Sequence, residues 1–114
     1  APDKVEITYV IGDVKGCEAI IVDDMISTGG TMIQASEALL NNGAIEVYGT
    51  CTHPVLVGDA IENLDKSILK EIIITDTIPH SNLPSKFTIL SVAELLGEAI
   101  KRIHLETSVS SLFI

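Results

Sequence analysis

The stretch EAIIVDDMISTGGT, residues 18–31, limits the possible folds more than any other part of the chain. It opens on a short unbroken apolar run, Ala19 to Val22. Such a run reads as a central strand of a parallel sheet, buried on both faces. The adjacent carboxylates Asp23 and Asp24 follow it, and then the hydroxyls and glycines of residues 27–31. A helix is predicted next, over about 30–42, because Met32, Ala35, Ser36 and Leu39 fall on one face at spacings of three and four. Asn41-Asn42-Gly43 stops it, and Gly43 can take the left-handed conformation past the helix end.

The same strand-then-helix rhythm runs through the chain. Residues 5–11, VEITYVI, alternate and read as a strand, with a GDVKG turn after them. IEVYGTCTH reads as the next strand, GDAIENLDKS as a short helix, LKEIIITDT as a buried strand and FTIL as a last short one. SVAELLGEAIKRIH is the clearest helix. Its apolar stripe is Val92, Leu95, Leu96, Ala99, Ile100 and Ile103, and Ser91 with Glu94 matches a capping box. Lys101, Arg102 and His104 lie in its last turn, where the helix dipole favours cations. The expected fold is a single α/β domain over residues 1–114, with a mostly parallel, Rossmann-like sheet flanked by helices. Ligands of such sheets sit beyond the carboxyl ends of the strands. That rule places Asp23, Asp24, residues 27–31, His53 and Asp76 on one rim.

Charge narrows the function. Sixteen acidic and seven basic side chains give a net charge of −9, which argues against nucleic-acid and acidic-membrane partners. No apolar run approaches the roughly 20 residues that span a bilayer, and the first residues carry no signal-peptide pattern. Cys17 and Cys51 lack metal-type spacing and read as reduced, buried thiols of a cytoplasmic protein. No two of His53, His80 and His104 have the i, i+4 spacing of a helical metal site. His53 and Asp76 are expected to brace the rim by hydrogen bonds, and His80 and His104 to lie at the surface.

The S-T-G-G-T run has a clear chemistry. The first amides of a helix have no intrahelical partners, and the helix dipole adds partial positive charge there. Gly29 and Gly30 let backbone approach a ligand closely, while Ser27, Thr28 and Thr31 offer hydroxyl donors. No lysine follows the glycines and no G-x-G-x-x-G is present, so neither a Walker A loop nor a dinucleotide fingerprint fits. A carboxylate only accepts hydrogen bonds; it suits sugar hydroxyls or Mg²⁺. Successive strand residues face opposite ways, so one of Asp23 and Asp24 should face a ligand and the other brace the loop. A T-G-G alone is common in polar turns. The full order of apolar strand, D-D, S-T-G-G-T and helix is far more specific.

VDDMISTGGT resembles the ribose-5-phosphate loop of the type I phosphoribosyltransferase fold. IGDVKG, ASEALLNNGA, THPVLVGDAIENL, EIIITDTIPH, LLGEAIKRIH and SVSSLF extend the likeness over nearly the whole chain, to the C-terminal half of the ribose-phosphate pyrophosphokinase (PRPP synthetase) family. The resemblance implies that Asp23 and Asp24 hold the ribose hydroxyls and Mg²⁺, and that Ser27, Thr28, Gly29, Gly30 and Thr31 take the 5-phosphate. Ser27 stands where the family often has Asp, which removes a negative charge beside the phosphate. The resemblance also implies a regulatory nucleotide or phosphate site between subunits at Ser108, Ser110 and Phe113, and assembly into homo-oligomers from dimer to hexamer. No catalytic residue is expected in this chain. The family's ATP-binding N-terminal half and its Lys/Arg catalytic loop would lie upstream of Ala1. The expected activity is transfer of diphosphate from Mg-ATP to ribose 5-phosphate, giving PRPP and AMP, with the isolated chain inactive. Two alternatives stand beside it. A base phosphoribosyltransferase would need a base-recognition hood that the sequence does not show. A non-catalytic regulatory subunit fits less well with an intact DDMISTGGT.

Overall fold

Apolar strands followed by amphipathic stretches produce a parallel α/β sheet in the computed structural model, which describes residues 10–113. Residues 5–9 of the strand expected over 5–11 lie outside the described residues. The elements run β1 (Glu18–Ile26), α1 (Gly30–Asn41), β2 (Glu46–Pro54), α2 (Ala60–Lys66), β3 (Ile72–Thr75), β4 (Phe87–Leu90) and α3 (Ala93–His104), then a 3₁₀ turn, Ser110–Phe113. The strands lie side by side in chain order, and every neighbouring pair is parallel. All carboxyl ends therefore share one edge, and this edge carries residues 27–31, His53 and Asp76 as expected.

One face of the sheet holds the core. Val47, Gly49 and Cys51 of β2 and Ile72 and Ile74 of β3 are buried at alternate positions, as the two-residue period of a strand requires. Met32 from α1 and Ala60 and Leu64 from α2 belong to the same cluster. Gly49 is what lets α1 come so near. A Cβ there would stand 2.4 Å from the Met32 sulfur. Gly43 ends α1 at φ 99, the expected left-handed exit.

The other face departs from expectation. β1 is not buried on both faces: Ile20 and Val22 are 63% and 77% exposed, and β1 is an edge strand among the described residues. The apolar run records that both faces are fit for burial. It does not record which segment covers the second face, and α1 and α2 both lie on the first. Cys17, expected to be buried, is exposed, because it precedes β1 where no helix crosses it. His80, expected at the surface, is half-buried and donates from Nε2 to the Pro54 carbonyl at 2.6 Å.

α3 forms over nearly its predicted span, but its capping differs. The helix begins at Ala93, and no reciprocal Ser91–Glu94 box forms among the described residues. Instead Ser91 Oγ accepts the Ala93 N–H at 3.1 Å and Asp76 Oδ1 accepts the Val92 N–H at 2.9 Å. α3 buries no residue, and Leu96, Ile100 and Ile103 along its stripe are exposed. Phe113 is exposed on this chain as well. The radius of gyration is 17.0 Å. About 13 Å is expected for a compact chain of this length. Among the described residues, no helix is long and apolar enough to cross a membrane.

Candidate functional site

The strand-to-helix loop at residues 27–31 is shaped by bonds at both ends. At its entry, Leu56 N–H donates to the Ile26 carbonyl at 3.0 Å and Val57 N–H to the Ser27 carbonyl at 2.9 Å. At its exit, Ile33 N–H donates to the Gly29 carbonyl at 3.0 Å, the first bond of α1. Gly29 itself has φ 86, in the left-handed region, so the chain reverses there at a position suited to glycine.

The N–H groups between these anchors are free. Those of Ser27, Thr28, Gly29, Thr31 and Met32 have no acceptor among the described residues, and that of Gly30 meets only Thr28 Oγ1, at 3.5 Å. Consecutive unpaired amides at the positive end of a helix dipole form an anion site. They border an open depression of about 180 Å³, lined by Asp23, Met25, Ile26, Ser27, Thr28, Gly29, Thr31 and Met32. Drug-sized ligands occupy roughly 300–1,000 Å³, so this space suits one phosphate and part of what it is attached to. No cation lines it.

The strand period separates the two carboxylates. Asp23 lines the depression with the loop, and Asp24 does not. Asp24 N–H donates to Asp23 Oδ1 at 2.8 Å, and Met25 N–H donates to Asp24 Oδ1 at 2.8 Å. Asp24 titrates below the usual carboxylate range, held there by a side-chain hydrogen bond with Asp23, by the Met25 N–H and by the charge His53 can carry. No group of three or more His, Cys, Asp or Glu that could hold a metal ion occurs among the described residues. Two adjacent carboxylates still fit Mg²⁺, which commonly binds through one or two carboxylates together with water and substrate phosphates.

The rim around the loop is structural. His53 Nδ1 lies 2.9 Å from Thr77 Oγ1, whose own proton goes to the Thr52 carbonyl at 3.1 Å. A carbonyl only accepts, so the proton between His53 and Thr77 belongs to Nδ1. Asp76 holds the start of α3 and titrates below its ordinary value because of the Val92 N–H and the Ser91 side chain. Burial pushes the Cys51 thiol up, which keeps it protonated and unreactive at neutral pH. Ser108 and Ser110 come together elsewhere, in the turn after α3, and Phe113 ends that turn, exposed. Ser108 Oγ and Ser110 Oγ are 2.8 Å apart, and Arg102 holds this turn through the Ser108 carbonyl and the Ser111 hydroxyl.

Sequence reasoning did not identify Leu56, Val57 or Leu64 as neighbours of the loop. Their contacts reach the loop from about 30 residues further along the chain, and no local pattern carries such information.

Known proteins are similar to this chain in sequence and in fold. A family model described as the phosphoribosyl synthetase-associated domain matches residues 2–114. A ribose-phosphate pyrophosphokinase of Oceanobacillus iheyensis is 53% identical over 114 residues, covering 98% of this chain and 36% of its own length. One from Caldanaerobacter subterraneus subsp. tengcongensis is 54% identical over 110 residues, covering 95% of this chain and 35% of its own. The crystal structure of phosphoribosylpyrophosphate synthetase from Mycobacterium smegmatis superposes with a TM-score of 0.81 at 36% identity, over 90% of this chain and 35% of that one. The chain thus spans about a third of the length of the relatives it matches. With an α/β sheet of this topology and a match over nearly every residue, the chain belongs to the phosphoribosyl synthetase-associated domain family.

Proposed function

We propose that this chain carries the ribose-5-phosphate site of a ribose-phosphate pyrophosphokinase and belongs to the C-terminal half of that enzyme, supplying about a third of the whole length. The observation that carries the reading is the run of amides at Ser27, Thr28, Gly29, Thr31 and Met32 that have no acceptor among the described residues, beside a depression that also contains Asp23. The names of the relatives support it.

In this reading the amides and the hydroxyls of Ser27, Thr28 and Thr31 take the 5-phosphate, with Gly29 and Gly30 giving the backbone its close approach. Asp23 accepts hydrogen bonds from the sugar hydroxyls. Asp24, braced by the Met25 N–H, keeps its negative charge at neutral pH. Acids and phosphate do not compete for one spot, because they grip opposite ends of the sugar. The C1 hydroxyl of the held sugar attacks the β-phosphorus of ATP and gives up its proton to water. The bond from that phosphorus to the oxygen shared with the α-phosphorus breaks, and AMP leaves with that oxygen. Asp23 and Asp24 would hold Mg²⁺, which would supply charge neutralisation for this transfer. Phosphoryl transfer also needs cationic groups around the developing charge. The described residues lining the depression supply none, so in this reading the rest of the enzyme, working in the cytoplasm as a homo-oligomer, provides them together with the ATP site. Ser108, Ser110 and Phe113 form a separate regulatory phosphate or nucleotide site.

Calorimetric titration with ribose 5-phosphate in the presence of Mg²⁺ tests the assignment. Binding is expected, and Thr31→Ala and Asp24→Ala weaken it. No heat of binding from correctly folded wild-type protein would refute the site.

A further inference from the structure

The loop lies directly on a side chain from a different crossover. Leu64, on α2, is fully buried. A Cβ built on Gly29 would stand 3.0 Å from its Cγ and 3.2 Å from both of its terminal methyl groups. Gly29 is therefore seated on the end of Leu64 with no space between them. Two further bonds come from the segment that leads into α2. Leu56, itself in the left-handed region at φ 52, donates to the Ile26 carbonyl, and Val57 donates to that of Ser27. The Val57 carbonyl then accepts the Ala60 N–H at 3.1 Å, which joins the segment to the first residue of α2. The entry of the loop and its middle thus rest on one unit, residues 56–64.

We propose that Leu64 is a positioning residue for the phosphate loop: it supports Gly29 from below and keeps the free amides of residues 27–32 directed at one anion. The inference rests on the ribose-5-phosphate reading above. Without Leu64 the loop still has its entry bonds and its exit bond to Ile33, but nothing fills the space under its left-handed residue. The amides then lose their common direction. Binding weakens although no group that touches the ligand has changed.

The test uses the intact protein and ribose 5-phosphate as probe, measured calorimetrically at a temperature where circular dichroism shows every variant folded. Leu64→Ala lowers affinity about tenfold or more, as misplacement of binding groups does. Leu64→Met, which keeps the volume, stays within about threefold. Leu64→Val makes a smaller cavity and serves if Leu64→Ala does not fold. Gly29→Ala approaches the same contact from the other side, although an alanine at φ 86 is strained whatever lies beneath it, so only the comparison between backgrounds counts. Its added methyl meets Leu64 and weakens binding. If both single variants fold, the methyl costs less affinity in a Leu64→Ala background, where the space is vacant. A merely structural Leu64 would lower the melting temperature and leave the affinity of the folded variant unchanged. That result, or equal cost of the Gly29 methyl in both backgrounds, overturns the inference and leaves the ribose-5-phosphate reading intact. Absence of binding by the wild-type protein overturns both.

Discussion

Gly49→Ala tests how closely α1 is seated on the sheet. The added methyl would lie 2.4 Å from the Met32 sulfur, whereas ordinary contact begins at 3.4 Å, so about 1 Å of movement is required. Met32 is only 4% exposed and belongs to the core cluster, so its side chain has little room to swing away. Overpacking of this kind costs about 2 kcal/mol, which lowers the melting temperature of a domain this size by roughly 10 °C. The loop is the direct lead into α1, so part of the movement reaches the amides of Thr31 and Met32. Differential scanning calorimetry reads the stability, and ribose-5-phosphate titration reads the loop. In a Met32→Ala background the sulfur is gone, and the Gly49 methyl should cost about 1 kcal/mol less than in the wild type. A melting temperature unchanged by Gly49→Ala, or an equal cost in both backgrounds, would refute the close seating of α1 on β2.

Three further outcomes follow from single contacts. Asp76→Asn weakens the anchor at the start of α3; because the folded carboxyl titrates below its ordinary value of 3.8, the stabilisation is present above that pH and lost as pH falls through the lower folded value. Amide exchange at Val92 and Ala93 followed between pH 6 and pH 2 should show this loss in the wild type and not in Asp76→Asn. The Tyr48 hydroxyl donates to Glu46 at 2.7 Å and its pKa is pushed up to about 12, chiefly by that bond, so ultraviolet titration of Glu46→Gln should bring the phenol back toward 10. Arg102→Ala removes the Glu98 ion pair at 3.1 Å and the bonds to Ser108 and Ser111, so residues 108–113 should exchange amide protons faster while the β-sheet is unaffected.

Much of the fold was legible because its signals are local. FTIL forms a strand over the residues read from its pattern, and Gly43 takes the left-handed exit that its position after α1 requires. The loop was legible for the same reason: glycines and hydroxyls at a strand-to-helix junction leave amides unpaired whatever surrounds them. What could not be read depends on partners distant in sequence. The run from Ala19 to Val22 says that both faces of β1 suit burial, but the exposure of Ile20 and Val22 is decided by where α1 and α2 pack. The capping of α3 was read as Ser91 with Glu94, yet Asp76 supplies the Val92 bond from across the β3–β4 connection. The strand period said that Asp23 and Asp24 must differ in role. Only the geometry puts Asp23 in the depression and Asp24 outside it. Leu64 left no trace in the motif, because its contact with Gly29 spans two crossovers' worth of chain.

The central claim is that the free amides of residues 27–32 receive the phosphate of a phosphorylated sugar. Proton–nitrogen correlation spectra recorded during titration with ribose 5-phosphate test it at the atoms concerned. The amide resonances of Thr28, Gly29, Thr31 and Met32 should shift together with one dissociation constant, while those of α3 stay in place. Saturable binding that moves other amides and leaves these four unchanged would contradict it.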